Sequence, residues 1–120
     1  MREIKFRAWN KKNKEWSSEI CLYHKTVGKR YEYNALKLDT DFDHVIVSQF
    51  TGLKDKNGKE IYEGDIIETK TDIFTIFYSE KDFEFIIYLE RLDNYYRLTY
   101  LSGFKDFKCI GNIYENEDLL

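Results

Sequence analysis

What most restricts this chain is its run of short apolar segments. "DIIETK", "IFTIFY", "FEFIIYLE", "YYRLTYL" and "FKCIGNIY" follow one another between residues 65 and 114. Each is rich in Ile, Phe, Tyr or Thr, residue types that suit a pleated, half-buried surface. Charged residues and Gly, Asn or Asp separate them. Segments this short, bounded this regularly, read as strands rather than helices. They favour a small barrel or sandwich.

The N-terminal part follows the same rule. "EIKFRAW" sets Ile4, Phe6 and Ala8 against Lys5 and Arg7 with a period of two. "NKKNK" supplies turn residues and "EWSSEICLY" resumes an extended pattern, so residues 3–23 read as a hairpin. "VIVSQF" is a further short strand. Residues 28–43 fit a strand or a helical face and read as irregular or short helix. The tail "NEDLL" suits a short helical turn, with Asn116 as its N-cap and Glu117 and Asp118 in the first turn. The expected fold class is mainly β with minor α. With no proline, repeat or low-complexity tract in 120 residues, one domain is expected. A hairpin region is expected over 1–50 and a barrel-like part over 51–120.

Charge excludes some roles. The net charge of −3 argues against a protein whose main task is coating nucleic acid. The halves differ, however. Residues 1–60 carry 13 Lys/Arg against 9 Asp/Glu, and residues 61–120 carry 6 against 13. The basic excess, densest in "MREIKFRAWNKKNK", reads first as solvated hairpin surface, with a nucleic-acid patch or a head-to-tail contact with the acidic half of another copy as the sharper readings. The two cysteines, Cys21 and Cys109, make no disulfide framework. No apolar run has the length of a signal peptide core or a membrane span. A cytosolic protein without membrane contact, with both thiols reduced, is expected.

"FTGLKDKNGKEIYEGDII", residues 50–67, poses the question of ligand loop or turn. Asn57-Gly58 between "LKDK" and "KEIY" predicts a two-residue type I′ hairpin turn. Gly52 and Gly64 mark backbone that other residues resist, and Asp65 suits an Asx-type turn before a strand. Leu53, Ile61, Tyr62, Ile66 and Ile67 are expected in the core. A phosphate loop would need clustered glycines feeding a helix. A calcium loop would need a different spacing, which both "DKNGKE" and "DTDFDH" fail. The stretch reads as structural.

At these residues the chain resembles the YopX family of phage and prophage proteins. Thr51-Gly52-Leu53, Asp55, Asn57-Gly58 and Glu63-Gly64-Asp65 carry the resemblance at set spacings, with "REIKFRAWN" and "CIGNIYENEDLL" at the ends. It runs from Arg2 to Leu120. The tail departs from the family's frequent Asn-Pro-Glu at Asn116-Glu117-Asp118. The resemblance implies a β fold with an SH3-like, partly open barrel in the C-terminal half, in the cytoplasm of a bacterial host. It brings no activity, cofactor or catalytic residue.

No constellation in the sequence calls for catalysis, a metal or a cofactor. Cys21-x-x-His24 is a single pair, short of the two pairs a structural zinc needs. No serine lies in a G-x-S-x-G elbow. A Cys109 pair with His24 or His44 would depend on proximity in space. Asp39, Asp41 and Asp43 read as a polar loop. Two binding features remain. The basic hairpin sets Arg7, Lys11, Lys12 and Lys14 beside Trp9 and Trp16, an arrangement suited to single-stranded nucleic acid; the tryptophans equally suit cross-strand core partners. Tyr88, Tyr95, Tyr96 and Tyr100 with Arg91 and Arg97 form a Tyr/Arg-rich face of the kind found at protein interfaces, or core tyrosines with hydrated hydroxyls. The reading favoured is a non-enzymatic module binding itself or a host or phage protein.

Overall fold

The computed structural model describes residues 4–17, 45–104 and 106–120. The chain groups into two compact units, Lys5–Gln49 and Phe50–Leu120 with Met1–Ile4. The fold is mainly β. Helical structure among the described residues consists of three 3-10 turns, Glu90–Leu92, Leu98–Gly103 and Glu117–Leu119. The ambiguous residues 28–43 lie outside the described residues.

In the unit Lys5–Gln49, β1 (Phe6–Asn10) pairs antiparallel with β2 (Glu15–Ser17) and with the first half of β3 (Val45–Lys54). Of the hairpin expected over residues 3–23, the part Phe6–Ser17 forms, in a register that sets Trp9 opposite Trp16, and residues 3 and 18–23 lie outside the described residues. Asn10 closes the four-residue loop: its Oδ1 accepts from the N–H groups of Lys12 at 2.9 Å and Asn13 at 3.1 Å. Such local bonding is the reason Asn is favoured at turns.

In the unit around Phe50–Leu120, the rest of β3 pairs with β4 (Glu60–Tyr62). Five further antiparallel strands follow: β5 (Asp65–Glu68), β6 (Ile73–Ser79), β7 (Glu84–Leu89), β8 (Asn94–Arg97) and β9 (Lys108–Asn112). They form one sheet in the order β8-β7-β6-β5-β9, curled as a half-barrel. Alternation places Phe74 and Ile76 of β6, and Phe85, Ile87 and Leu89 of β7, on one buried face. Ile61, Ile67, Leu101 and Phe107 join them. Burial of each large apolar side chain contributes about 1.5–3 kcal/mol. Of the five residues expected in the core, Ile61, Ile66 and Ile67 are fully buried, while Leu53 and Tyr62 are half-buried. Ile66 and Ile67 are consecutive and so face opposite sides of β5. That strand is covered on both faces.

In the 50–67 stretch the glycines and Thr51 shape the backbone. Gly52, at φ +91°, lies inside β3 where the pairing with β4 shifts register, a bulge whose backbone glycine tolerates best. Thr51 repairs the ladder there. Its Oγ1 donates to the Ile61 carbonyl at 2.7 Å and accepts from the Leu53 N–H at 3.2 Å. Gly64 sits at φ +89°, and a Cβ there would lie 2.9 Å from the Tyr114 ring. Its N–H donates to the Ile76 carbonyl and its own carbonyl accepts from the Ile113 N–H.

Several local expectations are corrected. The Asn57-Gly58 turn is not type I′: only Gly58 has positive φ, at +81°, and the Gly58 N–H donates to the Asp55 carbonyl. This is a three-residue loop ending in a left-handed glycine. The reason is Asp55, whose Oδ1 accepts from the N–H groups of Asn57 and Lys59, both at 2.9 Å, and whose Oδ2 accepts from the Cys109 N–H at 3.0 Å. Asp65 reaches backwards, accepting from the Tyr62 N–H at 2.8 Å. "YYRLTYL" leaves the sheet after Arg97, because the 3-10 turn delivers Leu101 into the core. "FKCIGNIY" ends as a strand at Asn112, whose Oδ1 accepts from the Tyr114 and Glu115 N–H groups. The tail does form a short helical turn, but the Asn116 side chain does not cap it; its Oδ1 accepts instead from the Asn112 N–H.

Asp55 is 7% exposed. Burial pushes its carboxyl up, but the three backbone N–H groups and the Lys59 charge outweigh burial and hold it below its ordinary 3.8. A carboxyl lowered by folding stabilises above its unfolded pKa, and that stability is lost as pH falls through the folded value. Replacing Asp55 with Asn removes one acceptor and should destabilise by about 2–3 kcal/mol at neutral pH. Denaturant melts from pH 7 downwards should show this gap closing below about pH 4. A gap independent of pH would refute the assignment.

Candidate functional site

The Tyr/Arg-rich residues divide between two faces, and the division follows from pleating. Tyr95 and Tyr96 are consecutive in β8, so they must point to opposite sides. Tyr96 pairs with buried Ile87 and packs on the core. Its ring stacks on Tyr100 at 4.7 Å and meets Phe74 edge-on at 6.4 Å. Tyr100 also meets Phe74 and Phe104. These two tyrosines are packing residues with wet edges.

The other face carries Tyr88, Tyr95 and Arg97. Tyr88 lies opposite Tyr95 with ring centroids 4.8 Å apart, and Tyr95 is 59% exposed. Two carboxylates fix this face. Asp93 accepts the Tyr88 hydroxyl at 2.5 Å, and the Glu84 carboxylate takes Arg97 in a two-point bond, Nε at 3.0 Å and Nη2 at 2.8 Å. The Asp93 bond, with lesser help from burial, pushes the Tyr88 hydroxyl up to about 12. Arg91 is directed elsewhere. Its Nε donates to Asp72 at 2.7 Å across to the β5–β6 loop, which holds the Asp72 carboxyl below its ordinary range. Of the six candidates, the fold brings Tyr88, Tyr95 and Arg97 together and separates Tyr96, Tyr100 and Arg91 from them.

At the basic hairpin, Trp9 is 6% exposed and its ring lies 5.0 Å from Trp16. Arg7 covers Trp16, its guanidinium 4.0 Å from the ring centroid. Cation–π and cross-strand packing occupy these three side chains. Lys11, Lys12 and Lys14 remain exposed on the loop. Cys21, His24, His44, Asp39, Asp41 and Asp43 lie outside the described residues. The Cys109 thiol faces the Gly111 carbonyl at 3.4 Å, and among the described residues no cluster of His, Cys, Asp and Glu is placed to hold a metal. No helix among them is long and apolar enough to cross a membrane.

The match to the YopX family, described as YopX protein, covers residues 5–120. The chain belongs to the YopX family. A solved structure similar to this chain is the crystal structure of protein EF1440 from Enterococcus faecalis. It is 27% identical, with 100% of this chain and 99% of that chain covered at a TM-score of 0.66. No curated protein matches this YopX-family chain.

The YopX-family chain also has an open groove of about 710 Å³ at the β5–β6 loop and the end of β7, which the sequence reading did not anticipate. Nor did it anticipate Glu84, Asp93 and Asp72 as partners. The antiparallel register is the signal that would have found Glu84. Asp93 and Asp72 depend on turn geometry that no periodicity encodes.

Tyr88 supplies a direct check. Its pKa is raised by folding, so the associated stability is present below about pH 10 and is lost as pH rises through about 12. Asp93→Asn should bring the Tyr88 titration, followed by ring-carbon NMR, back towards 10. An unchanged titration would show that Asp93 is not its partner.

Proposed function

We propose that this YopX-family protein is a non-enzymatic binding module that holds a protein partner on the Tyr88–Tyr95–Arg97 face of β7 and β8. The observation that carries this reading is the arrangement of that face before any partner arrives. The Tyr88 hydroxyl is tied to Asp93 and the Arg97 guanidinium to Glu84. Side chains already fixed lose little rotamer freedom on association. Tyrosine and arginine are the residue types that dominate interface energetics, and rigid tyrosines give large contact area at low entropic cost. The two-point ion pair is exposed and contributes little to stability itself. Its value lies in holding a planar donor beside the aromatic pair. A protein of the bacterial host, or of a phage within it, is the partner this reading expects. The nucleic-acid alternative rests on Lys11, Lys12 and Lys14 alone, since Trp9 is buried and Arg7 stacks on Trp16.

Tagged protein recovered from bacterial lysate, with and without nuclease treatment, tests both. A protein retained by the wild type should be lost, or bound at least tenfold more weakly, by Tyr95→Ser, whose exposed side chain leaves the fold intact. Equal recovery by Tyr95→Ser would refute this face as the contact. Recovery of nucleic acid alone, abolished when Lys11, Lys12 and Lys14 become Glu, would transfer the function to the hairpin loop.

A further inference from the structure

Asn57-Gly58, at the tip of the β3–β4 loop, is the one Asn-Gly pair in the chain, and both residues are exposed. Such a pair has a chemistry of its own. The side-chain amide carbon of asparagine is open to attack by the backbone nitrogen of the next residue, and glycine presents that nitrogen without a side chain to crowd it. The space around Gly58 is open as well. Among the described residues nothing lies within 4 Å of where a Cβ on Gly58 would stand. The loop has no steric guard.

Hydrogen bonds restrain the reaction instead. The Gly58 N–H donates to the Asp55 carbonyl at 3.0 Å, and neither central residue of this turn, Lys56 or Asn57, has a positive φ. That is type I geometry, which holds ψ of its third residue, Asn57, at about 0°. Attack on the side chain needs rotation about the Asn57 Cα–C bond, which carries the Gly58 nitrogen away from the Asp55 carbonyl. The Asp55 carboxylate stiffens the same turn, accepting from the Asn57 and Lys59 N–H groups, both at 2.9 Å. Charge does not decide the matter. The buried Asp55 carboxylate and the exposed Lys54, Lys56 and Lys59 act on the Gly58 N–H in opposite senses.

We propose that Asn57 is a site of spontaneous deamidation gated by local opening of the Asp55 turn. In the open loop the Gly58 nitrogen, its proton lost to solvent, attacks Asn57 Cγ. The N–Cγ bond forms, the Cγ–Nδ2 bond breaks, and ammonia leaves after taking a proton from water. Water then opens the resulting cyclic imide at either carbonyl. One opening yields aspartate; the other yields isoaspartate, with an extra methylene in the main chain. The net change is water consumed and ammonia released. Aspartate preserves the turn. Isoaspartate does not, since the longer main chain moves the Gly58 and Lys59 N–H groups away from Asp55. The same loop anchors β9: the Asp55 carboxylate accepts from the Cys109 N–H at 3.0 Å, and the Lys56 N–H donates to the Phe107 carbonyl at 3.2 Å. A passing opening is thereby converted into a lasting loss of the tie to β9. This inference does not rest on the β7–β8 partner face, and either can fail alone.

Mass spectrometry of the Asn57 peptide, with fragmentation that separates aspartate from isoaspartate, tests it on the full chain incubated at neutral pH. Deamidation should be at least about tenfold slower in the native protein than in guanidinium chloride, as for a site that reacts only from a locally open state. Asp55→Asn, while folded, should react at least about tenfold faster than the native wild type. Leu101→Ala lowers the melting temperature from within the core and should leave the rate unchanged. Protein carrying isoaspartate at position 57, separated by ion exchange, should show faster amide hydrogen exchange at Cys109 than unmodified protein. Equal rates in the native and unfolded chain, no greater rate in Asp55→Asn than in Leu101→Ala, or unchanged Cys109 exchange in the isoaspartate form would each overturn the proposal.

Discussion

The Asp55 carboxylate is the interaction on which the half-barrel unit depends. It joins two pieces of chain 54 residues apart, the β3–β4 loop and the start of β9. A carboxylate this buried would be strongly unfavourable alone. Three backbone N–H groups make the site favourable, and they can do so only if the loop has the shape it has. A type I′ turn would occupy the Lys59 N–H in the ladder. The three-residue loop frees it for the carboxylate, while the Lys56 N–H reaches the Phe107 carbonyl. The loop conformation and the position of β9 are thus one arrangement described from two ends.

This explains which parts of the fold were legible in the sequence. Period-two alternation located β1, short β-prone segments between turn residues located β6 and β7, and the glycines at 52, 58 and 64 were recognised as positions of unusual backbone, as their positive φ values show. What failed were features decided by a distant partner. Nothing near Asn57 in the sequence indicates that Asp55 is also bonded to Cys109. Nothing in "NEDLL" indicates that Asn116 is already engaged by Asn112. In both cases a local rule gave the commonest solution, and a tertiary hydrogen bond selected another.

The candidate face was half legible, and the missed half was available. Seven consecutive residues cannot all face a partner when the strand alternates, so Tyr95 and Tyr96 had to part company. The strand's end at Arg97 was less accessible, because only the packing of Leu101 turns the chain there. Grouping by residue type overestimated the face; grouping by pleat and register gives Tyr88, Tyr95 and Arg97. Of the carboxylates that hold them, Asp93 carried no signal of its own, and Glu84 could be found only through the antiparallel register.

A contrast in backbone geometry bears on what the surface is for. In the 50–67 stretch every left-handed position is a glycine. Elsewhere among the described residues Lys14, Phe83 and Asp93 take up positive φ with full side chains. Each such residue is strained by about 1–3 kcal/mol, and glycine would relieve it. Asp93 shows why relief is not always adopted, since its carboxylate holds the Tyr88 hydroxyl. A left-handed aspartate is retained here because its side chain has a partner that glycine could not supply. Lys14 and Phe83 present their side chains to solvent at hairpin tips. At those two tips the loop length sets the backbone, since both four-residue loops end in a left-handed residue whatever side chain stands there.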